Sequence, residues 1–345
     1  MWSRLDRVED YLLTKRLEGH LTALCRQARP DIIHAHTPYR CGLPASRVAR
    51  KFGIPFVYEV RGLWEDSSVA SGRFTSGDKD YNEWRDKETL VMRSADMVIC
   101  ICQSLKDDIV SRGIDPARVA VVPNGVCAKS FDGSAKEQLS DMAGPAVENV
   151  RRRLASHTVG YVGSLRALEG VDELVRGFAH LHQQDPDTSL LIVGAGSDLA
   201  ALKELAAELG VQDHVVFTGW VPHEQIHFYY DMIDIFAVTR PDLRVTRLVT
   251  PLKPIEAMAM RIPLVVSDLP ALREIVPDGE TGLVYKAGDP ESLAAKCLQL
   301  IRDEGRRNRM AEAAMEWARR HRTWSDIVQK VPAVYEAARE HRAQR

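Results

Sequence analysis

Two glycine turns in the second half of the chain are suited to hold a phosphate group. Gly163-Ser164 follows an apolar run that ends at Val162, and Gly194-Ala195-Gly196 follows another run that ends at Val193. Because glycine has no Cβ, backbone amides in such turns approach a phosphate closely, and a helix that begins nearby adds partial positive charge. The second turn is weak support by itself. Leu199 stands where the dinucleotide fingerprint has its third glycine, which disfavours a nicotinamide oxidoreductase.

Basic residues gather in a third loop, which follows the apolar run Ile235–Val238. Four cations lie between this run and the next helical pattern, namely Arg240, Arg244, Arg247 and Lys253. Guanidinium groups pair with phosphate oxygens in a bidentate manner, so this loop is a candidate diphosphate site. The fixed φ of Pro254 suits the first turn of a helix, so a helix is predicted over 255–260. Glu256 in that turn either caps the helix or accepts hydrogen bonds from ribose hydroxyls.

Parallel sheets must position these turns, because short apolar runs alternate with amphipathic stretches along the chain. Four strands are predicted in the first half, at Asp31–Ala35, Pro55–Val60, Met97–Ile101 and Val119–Val122. Six follow, at Thr158–Val162, Ser189–Val193, Val215–Phe217, Ile235–Val238, Pro263–Ser267 and Gly282–Tyr285. Helices are predicted at Leu43–Phe52, Tyr81–Arg93, Ser104–Arg112, Leu199–Leu209 and Glu291–Arg302. Ligands bind at the carboxyl ends of such strands, which is where both glycine turns and the basic loop lie.

The polar stretch Cys127–Gly144 interrupts this alternation and is predicted to be a linker. We therefore expect a first domain with its linker at 1–156 and a second domain at 157–322. An amphipathic segment at 323–345 has no strand after it and is expected to pack back toward the first domain. Pro332 should kink or divide its helix.

Composition excludes several classes of function. With a net charge of -2 over 345 residues, the whole molecule sets up no strong electrostatic field that would attract nucleic acid. Six cysteines in a chain of this length do not indicate a disulfide framework.

No metal site is predicted, since Asp185-Pro186-Asp187 precedes a strand and so lies at the wrong end of the sheet. The charged N-terminus is not a signal peptide, and no apolar run reaches the ~20 residues of a membrane span. A cytoplasmic location is expected.

The motifs resemble those of a known enzyme family. GSLRALEGVDELV (163–175), the stretch 190–238 and LVTPLKPIEAMA (248–259) are similar to retaining GT-B glycosyltransferases of family 4. PDIIHAHTPYRCGLPA (30–45), VYEVRGLWED (57–66) and VAVVPNGV (119–126) resemble the acceptor-side domain of that family, in a branch that acts in polysaccharide assembly. The implied fold is α/β, with two doubly wound Rossmann-like domains facing a cleft and the first domain shortened at its N-terminus.

The resemblance implies roles for individual residues. His36, Glu256 and Lys253 are the expected catalytic residues, with a satisfied strand-end histidine as the alternative for His36. Arg61 and Asn124 are expected on the acceptor or sugar side. Donor binding is assigned to a larger set: Gly163, Ser164, Arg166, Gly194, Gly219, Trp220, Val221, Arg240, Arg244, Thr250, Pro251 and Leu252.

The implied activity is metal-independent transfer of a sugar, with retention, from a nucleotide-diphosphate sugar to a glycan or lipid-linked acceptor. The donor is expected to be a UDP- or GDP-sugar, with no cofactor. A lipid-linked acceptor implies peripheral contact with the inner membrane surface.

Three departures from the family pattern favour a second hypothesis, an impaired or non-catalytic sugar-nucleotide-binding module. Ser164 and Glu169 stand where the family has Arg and Lys, and Arg247 stands where the branch has Glu. The opening strand and glycine-rich loop of the acceptor domain are also not found. We expect Arg240, Arg244 and Lys253, with Arg166, to supply the missing charge.

Overall fold

The structure, a computed structural model, describes residues 4–127 and 144–344. The chain divides into two compact units. The first unit comprises residues up to Pro123, Arg247–Val249 and the residues from Ile327 onward. The second comprises Asn124–Thr246 and Thr250–Asp326. The chain therefore leaves and re-enters the first unit twice.

The first unit is built on a four-stranded parallel sheet of order β1-β2-β3-β4. Its strands are β1 (Ile33–His36), β2 (Phe56–Val60), β3 (Met97–Cys100) and β4 (Val119–Val121). Its N-terminal helices are α1 (Arg4–Ala28), α2 (Tyr39–Phe52), α3 (Trp64–Ala70), α4 (Lys79–Ser94) and α5 (Gln103–Ser111). One face of the sheet is covered by buried side chains such as Tyr39, Trp84 and Leu105. Burial on both faces explains why β3 is apolar at every residue.

The last helix of the chain covers the other face of this sheet. Val334 and Ala338 of this helix pack against Val57, Met97 and Ile99. The C-terminal segment forms a short α-helix (Trp324–Ile327), a 3₁₀ turn (Val328–Lys330) and a final α-helix (Val331–Ala343). Pro332 lies in the first turn of the final helix and so divides the segment, as predicted.

Helix α1 packs on α2 through Cys25, which is buried with Val48 and Ile54. Several apolar side chains of α1 are nevertheless exposed, namely Val8, Tyr11, Leu12, Leu13 and Leu24. Within residues 4–127 and 144–344, no helix is both long and apolar enough to cross a bilayer.

The second unit is built on a six-stranded parallel sheet of order β10-β9-β8-β5-β6-β7. Its strands are β5 (His157–Val162), β6 (Thr188–Val193), β7 (Val215–Gly219), β8 (Ile235–Val238), β9 (Leu264–Ser267) and β10 (Gly282–Tyr285). The remaining helices of the chain begin with α6 (Pro145–Arg151), α7 (Val171–Gln184), α8 (Leu199–Glu208), α9 (Ile226–Tyr230), α10 (Arg244–Leu248) and α11 (Lys253–Ala259). They continue with α12 (Pro270–Arg273), α13 (Pro290–Arg302), α14 (Glu304–His321) and α15 (Trp324–Ile327), and the final helix of the chain is α16 (Val331–Ala343). Two hydrophobic clusters cover the two faces of the sheet.

The strand order reverses between β5 and β8. The chain builds outward from β5 through β6 to β7, then returns to place β8 on the other side of β5. Such a reversal opens a crevice at the carboxyl ends of the two central strands. Gly163 follows β5 and Arg240 lies just beyond β8, so the topology brings the glycine turn and the basic loop to one crevice.

All ten predicted strands are confirmed, most with ends that differ by one or two residues. The first boundary differs from the predicted 156/157. The second unit begins at Asn124, because Val147 of α6 packs into its core and Val126 pairs with Thr323. For the same reason the return to the first unit lies at Ile327 rather than at 323. The predicted linker lies, apart from Cys127 and Gly144, outside the described residues.

Candidate functional site

The turn after β5 contains the closest backbone approach in the crevice. Gly163 has φ +154°, and a Cβ placed there would lie 2.0 Å from Cε of Lys253. A Cβ on Gly194 would lie 1.8 Å from the carbonyl oxygen of Gly163. Glycine is therefore required at Gly194 to let the two turns touch, and the positive φ of Gly163 favours glycine there.

Lys253 forms an ion pair with Glu169 directly beside this turn. The ammonium nitrogen of Lys253 lies 2.8 Å from Oε1 of Glu169, and Nε of Arg240 lies 3.6 Å from Oε2 of the same carboxylate. The Lys253 ammonium also lies 5.4 Å from the centre of the Tyr161 ring. Two cations and one anion thus stand together, with a nominal charge of +1.

Burial shapes the ionisation of this ion pair. Burial favours the neutral form of Glu169, but Arg240 and Lys253 outweigh it and hold the pKa of Glu169 below its ordinary value. Burial also lowers the pKa of Lys253, and Glu169 opposes that change. Glu169 is the charged partner that keeps two largely buried cations in place.

Glu256 of α11 lies on the same pocket. Its Oε2 accepts a hydrogen bond of 3.2 Å from the hydroxyl of Tyr230. Burial, and then the nearby Glu256 carboxylate, raise the pKa of Tyr230 well above its ordinary value, so this hydroxyl stays protonated. A carboxylate held by one neutral donor retains acceptor capacity for the hydroxyl groups of a ligand.

These groups line an open pocket of about 710 Å³ in the second unit. Six predicted site residues line it, namely Gly163, Arg240, Pro251, Leu252, Lys253 and Glu256. Eight predicted donor-binding residues do not, namely Ser164, Arg166, Gly194, Gly219, Trp220, Val221, Arg244 and Thr250. Among these, Arg166, Trp220 and Arg244 are exposed, and Thr250 is buried. Asn124 is buried next to Gly125, which does line the pocket.

Sequence reasoning missed one wall of the pocket. His223, Ile226, His227 and Tyr230 line it from the 3₁₀ turn before α9 and from α9 itself. They are spaced at i, i+3, i+4 and i+7, which places them on one helical face. This spacing is visible in the sequence and indicates one face of a short helix. The prediction also missed Glu169, Met260 and a group from two distant segments, namely Val126, Cys127 and Trp324.

A second polar cluster lies in the first unit, at the carboxyl ends of β1 and β2. Oε2 of Glu59 lies 3.3 Å from Nε2 of His34 and 3.4 Å from Nδ1 of His36. Nε of Arg61 lies 3.8 Å from the other carboxylate oxygen. The hydroxyl of Tyr335 lies 3.0 Å from Nδ1 of His34. Glu59 therefore holds His36 in place, and half of the His36 side chain is exposed.

The pKa values of His36 and Glu59 both lie below their ordinary values, for different reasons. Burial lowers the pKa of His36, and the Glu59 carboxylate opposes that change. Burial favours the neutral form of Glu59, but the two histidines and Arg61 outweigh it and lower the pKa of Glu59. Near pH 7 the cluster presents a carboxylate and a neutral His36 imidazole.

Comparison with known proteins agrees with this architecture. Residues 148–317 match the family model of the glycosyl transferases group 1, and residues 6–129 match that of glycosyltransferase family 4. Together the two models match most of the chain.

Individual relatives match at lower identity. A D-inositol 3-phosphate glycosyltransferase of Salinispora tropica is 29% identical over 333 residues, which are 90% of this chain and 65% of that protein. The chain thus spans just under two thirds of that relative. A GDP-mannose-dependent alpha-(1-6)-phosphatidylinositol monomannoside mannosyltransferase of Mycolicibacterium smegmatis is 34% identical over 162 residues, which are 45% of this chain and 41% of that protein.

Solved structures share the fold. A structure of Anabaena Alr3699/HepE in complex with UDP and glucose superposes with a TM-score of 0.74 at 19% identity, covering 97% of this chain and 83% of that chain. The similarity confirms the predicted fold class, with two Rossmann-like units of parallel sheet. The chain therefore belongs to the glycosyltransferases of group 1 and family 4, which have the GT-B fold.

Proposed function

We propose that this chain transfers a sugar from a nucleotide-diphosphate sugar to a glycan or lipid-linked acceptor, with retention of configuration and without a metal ion. The observation that carries the proposal is the position of Lys253. Its ammonium lies beside the Gly163 turn, at the crevice between β5 and β8, and is held there by Glu169. This is where the diphosphate of a donor would lie in a sheet of this topology.

Lys253 and Arg240 would stabilise the departing diphosphate. In a retaining transfer on one face of the sugar, the bond from the anomeric carbon to the phosphate oxygen breaks, and the acceptor oxygen bonds to that carbon. The acceptor proton passes to the departing phosphate oxygen, so no separate strong base is needed. Negative charge then grows on the nucleoside diphosphate. Loss of one well-placed donor to such a charge typically costs about 2.7–4 kcal/mol of barrier.

Glu256 is proposed to bind the ribose. Its carboxylate lines the pocket and has one protein donor, Tyr230, among the described residues. Ribose presents two neighbouring hydroxyls that can donate to the remaining lone pairs. His36 of the first unit is proposed to assist transfer as a residue that contacts the sugar, as the family resemblance implies.

The donor is proposed to be a UDP- or GDP-sugar. The Anabaena structure is a complex with UDP and glucose, and the Mycolicibacterium relative is named as GDP-mannose-dependent. Isothermal titration with UDP, GDP and ADP, followed by product analysis with the matching sugar nucleotides, tests the choice. Binding of none of the three would contradict the proposal. The acceptor, the cytoplasmic location and contact with the inner membrane stay predictions.

A charge-removal series tests the diphosphate site. We expect Lys253→Ala and Arg240→Ala each to weaken binding of the nucleoside diphosphate by about 10-fold or more, since each removes a cation from a sheltered pocket. Arg244→Ala is the matched control, because Arg244 is exposed and does not line the pocket. Thermal melting establishes that each variant is folded. Parental affinity in both pocket variants would refute the site.

A second candidate function is binding without turnover. It is favoured by Glu169, whose buried carboxylate offsets one of the two pocket cations and so reduces the positive charge available to a leaving diphosphate. The two candidates separate in one experiment. Product formation that is lost in His36→Ala and Glu256→Ala supports transfer. Donor binding with no hydrolysis and no product supports the binding module.

A further inference from the structure

The strand register of the first unit aligns three metal-ligating side chains. His34 and His36 alternate along β1, so both point to the same face of the sheet. The parallel register pairs His36 with Glu59 of β2, which places Glu59 on that face as well. Neighbouring strands lie about 4.8 Å apart, so the three side chains converge by backbone geometry rather than by flexible loops.

The two distances from the carboxylate to the histidines match those of a zinc coordination shell. A tetrahedral zinc ion with ligands at 2.0–2.1 Å requires neighbouring ligand atoms to be about 3.3–3.4 Å apart. Oε2 of Glu59 lies 3.3 Å from Nε2 of His34 and 3.4 Å from Nδ1 of His36. All three ligand atoms lie within 4.8 Å of one another. Over the described ranges, this is the one group of three such residues with that property.

The surroundings favour a metal ligand rather than an internal hydrogen bond. Nε2 of His34 is buried, and no hydrogen bond satisfies it despite the nearby carboxylate. Nδ1 of the same ring lies 3.0 Å from the Tyr335 hydroxyl. Histidines that bind a metal through one ring nitrogen usually form a hydrogen bond through the other, and Tyr335 offers that partner. Arg61 contacts Oε1 of Glu59 and leaves Oε2 to the two histidines.

We propose that His34 Nε2, His36 Nδ1 and Glu59 Oε2 bind a divalent transition metal ion, with Zn²⁺ as the expected ion. Two imidazoles and one carboxylate suit zinc and its neighbours in the first transition row, whereas Mg²⁺ prefers oxygen ligands. Three protein ligands leave the fourth tetrahedral position to water or to an oxygen of a bound ligand.

The metal site shares His36 with the proposed transfer reaction, which uses no metal. A zinc ion here would occupy Nδ1 of His36, so it is expected to slow transfer rather than to support it. Because the test below measures metal binding directly, its outcome does not depend on whether the chain turns over a sugar nucleotide.

Titration of the full chain with zinc alone, after chelator treatment, tests the site. The two exposed thiols, Cys41 and Cys127, are replaced by serine in every variant so that they do not bind zinc. We expect one zinc per chain, and tetrahedral visible absorption bands when cobalt is used instead. Glu59→Gln and His36→Ala should each lower zinc affinity by more than the roughly 10–100-fold that loss of an outer hydrogen-bond partner costs.

Three further variants separate a metal site from an ordinary polar cluster. Tyr335→Phe should lower zinc affinity by about 10-fold or more, because it removes the partner of His34. Arg61→Ala should raise zinc affinity severalfold, because it removes a cation beside Glu59. His214→Ala is the control, since the His214 ring lies 4.0 Å from the His182 ring but these two residues belong to no group of three ligands among the described residues.

Either of two results would overturn the site: no zinc uptake by the parent chain, or equal uptake by the parent, Glu59→Gln and His36→Ala. Melting curves accompany every variant. If Glu59→Gln does not fold, His36→Ala decides the question, because His36 is half exposed and its loss leaves the sheet intact.

Discussion

Lys253 supplies the cation beside the Gly163 turn. Glu169 stands where the family resemblance predicts a lysine, and Lys253 reaches the same turn from the start of α11. Gly163 makes this route available because a side chain there would overlap Cε of Lys253. The turn therefore has a cation that comes from α11 and not from the position of Glu169.

Removal of the anion should destabilise the second unit. We expect Glu169→Gln to lower the free energy of unfolding by about 3 kcal/mol or more, because it removes the buried carboxylate that pairs with Lys253 and Arg240. The measurement is urea unfolding at neutral pH. The matched change Glu148→Gln affects an exposed ion pair with Arg151 and should cost less than about 1 kcal/mol. Equal effects of the two changes would contradict the assigned role of Glu169.

At the scale of elements, Glu88 ties three parts of the first unit together. Its Oε1 accepts a hydrogen bond of 2.6 Å from the backbone amide of Tyr39, at the start of α2. Its Oε2 lies 2.6 Å from the hydroxyl of Tyr58 on β2. Burial raises the pKa of Glu88 to about 7, from 4.5 for an exposed glutamate. The folded state therefore binds this proton more tightly than the unfolded state does.

This difference predicts a stability that falls as pH rises. Between pH 4.5 and about 7 the folded chain holds more protons than the unfolded chain, so the free energy of unfolding decreases through that window and then levels off. The full change is up to about 3 kcal/mol. Glu88→Gln keeps an acceptor for Tyr39 and a donor for Tyr58 but does not ionise. Its unfolding free energy should change less over this window in guanidinium titrations. The same slope in parent and variant would refute the assignment.

Element positions could be read from the sequence because the strands are buried on both faces. A strand such as β8 is apolar at every residue, which makes it recognisable in the sequence whatever its neighbours are. The turns after β5 and β8 were predictable for a related reason, since parallel topology sends both to one edge. The sequence therefore predicts that Gly163, Arg240, Lys253 and Glu256 lie at the same edge of the sheet, and all four line the pocket there.

The pairing partners of buried charged residues depend on tertiary contacts and could not be predicted from the sequence. Glu169 was recognised as a departure but not as the partner of Lys253, because that contact joins segments 84 residues apart. Two glutamates of the motif VYEVRGLWED also have different surroundings in the structure. Glu59 lies on the polar cluster of the first unit, whereas Glu65 is buried and pairs with Arg112 at 3.0 Å. Periodicity does not distinguish a buried ion pair from a functional carboxylate.

At the scale of the whole molecule, the first unit is discontinuous. Val334 and Ala338 of α16 cover the face of its sheet that includes Val57 and Ile99. We expect Val334→Asp to destabilise the first unit by about 3 kcal/mol or more, because it places a charge among buried apolar groups. Hydrogen exchange measured by mass spectrometry should show faster exchange in β2 and β3, with the strands of the second unit unchanged.

Val328→Asp is the control for this change, because Val328 is 52% exposed, whereas Val334 is 6% exposed. Little change in the exchange of β2 and β3 is expected for Val328→Asp. If Val334→Asp and Val328→Asp had the same effect, α16 would not be an essential cover of the sheet.

The late position of α16 in the chain has a consequence for synthesis on the ribosome. Strands β1 to β4 emerge first, but the helix that covers one of their faces emerges only after the whole second unit. The second unit can complete its core while Val57 and Ile99 still lack their cover. During that interval the nascent first unit exposes an apolar sheet face, and it is the half of the molecule that we expect general chaperones to bind. The same delay applies to Tyr335, so the contact that orients His34 is among the last to form.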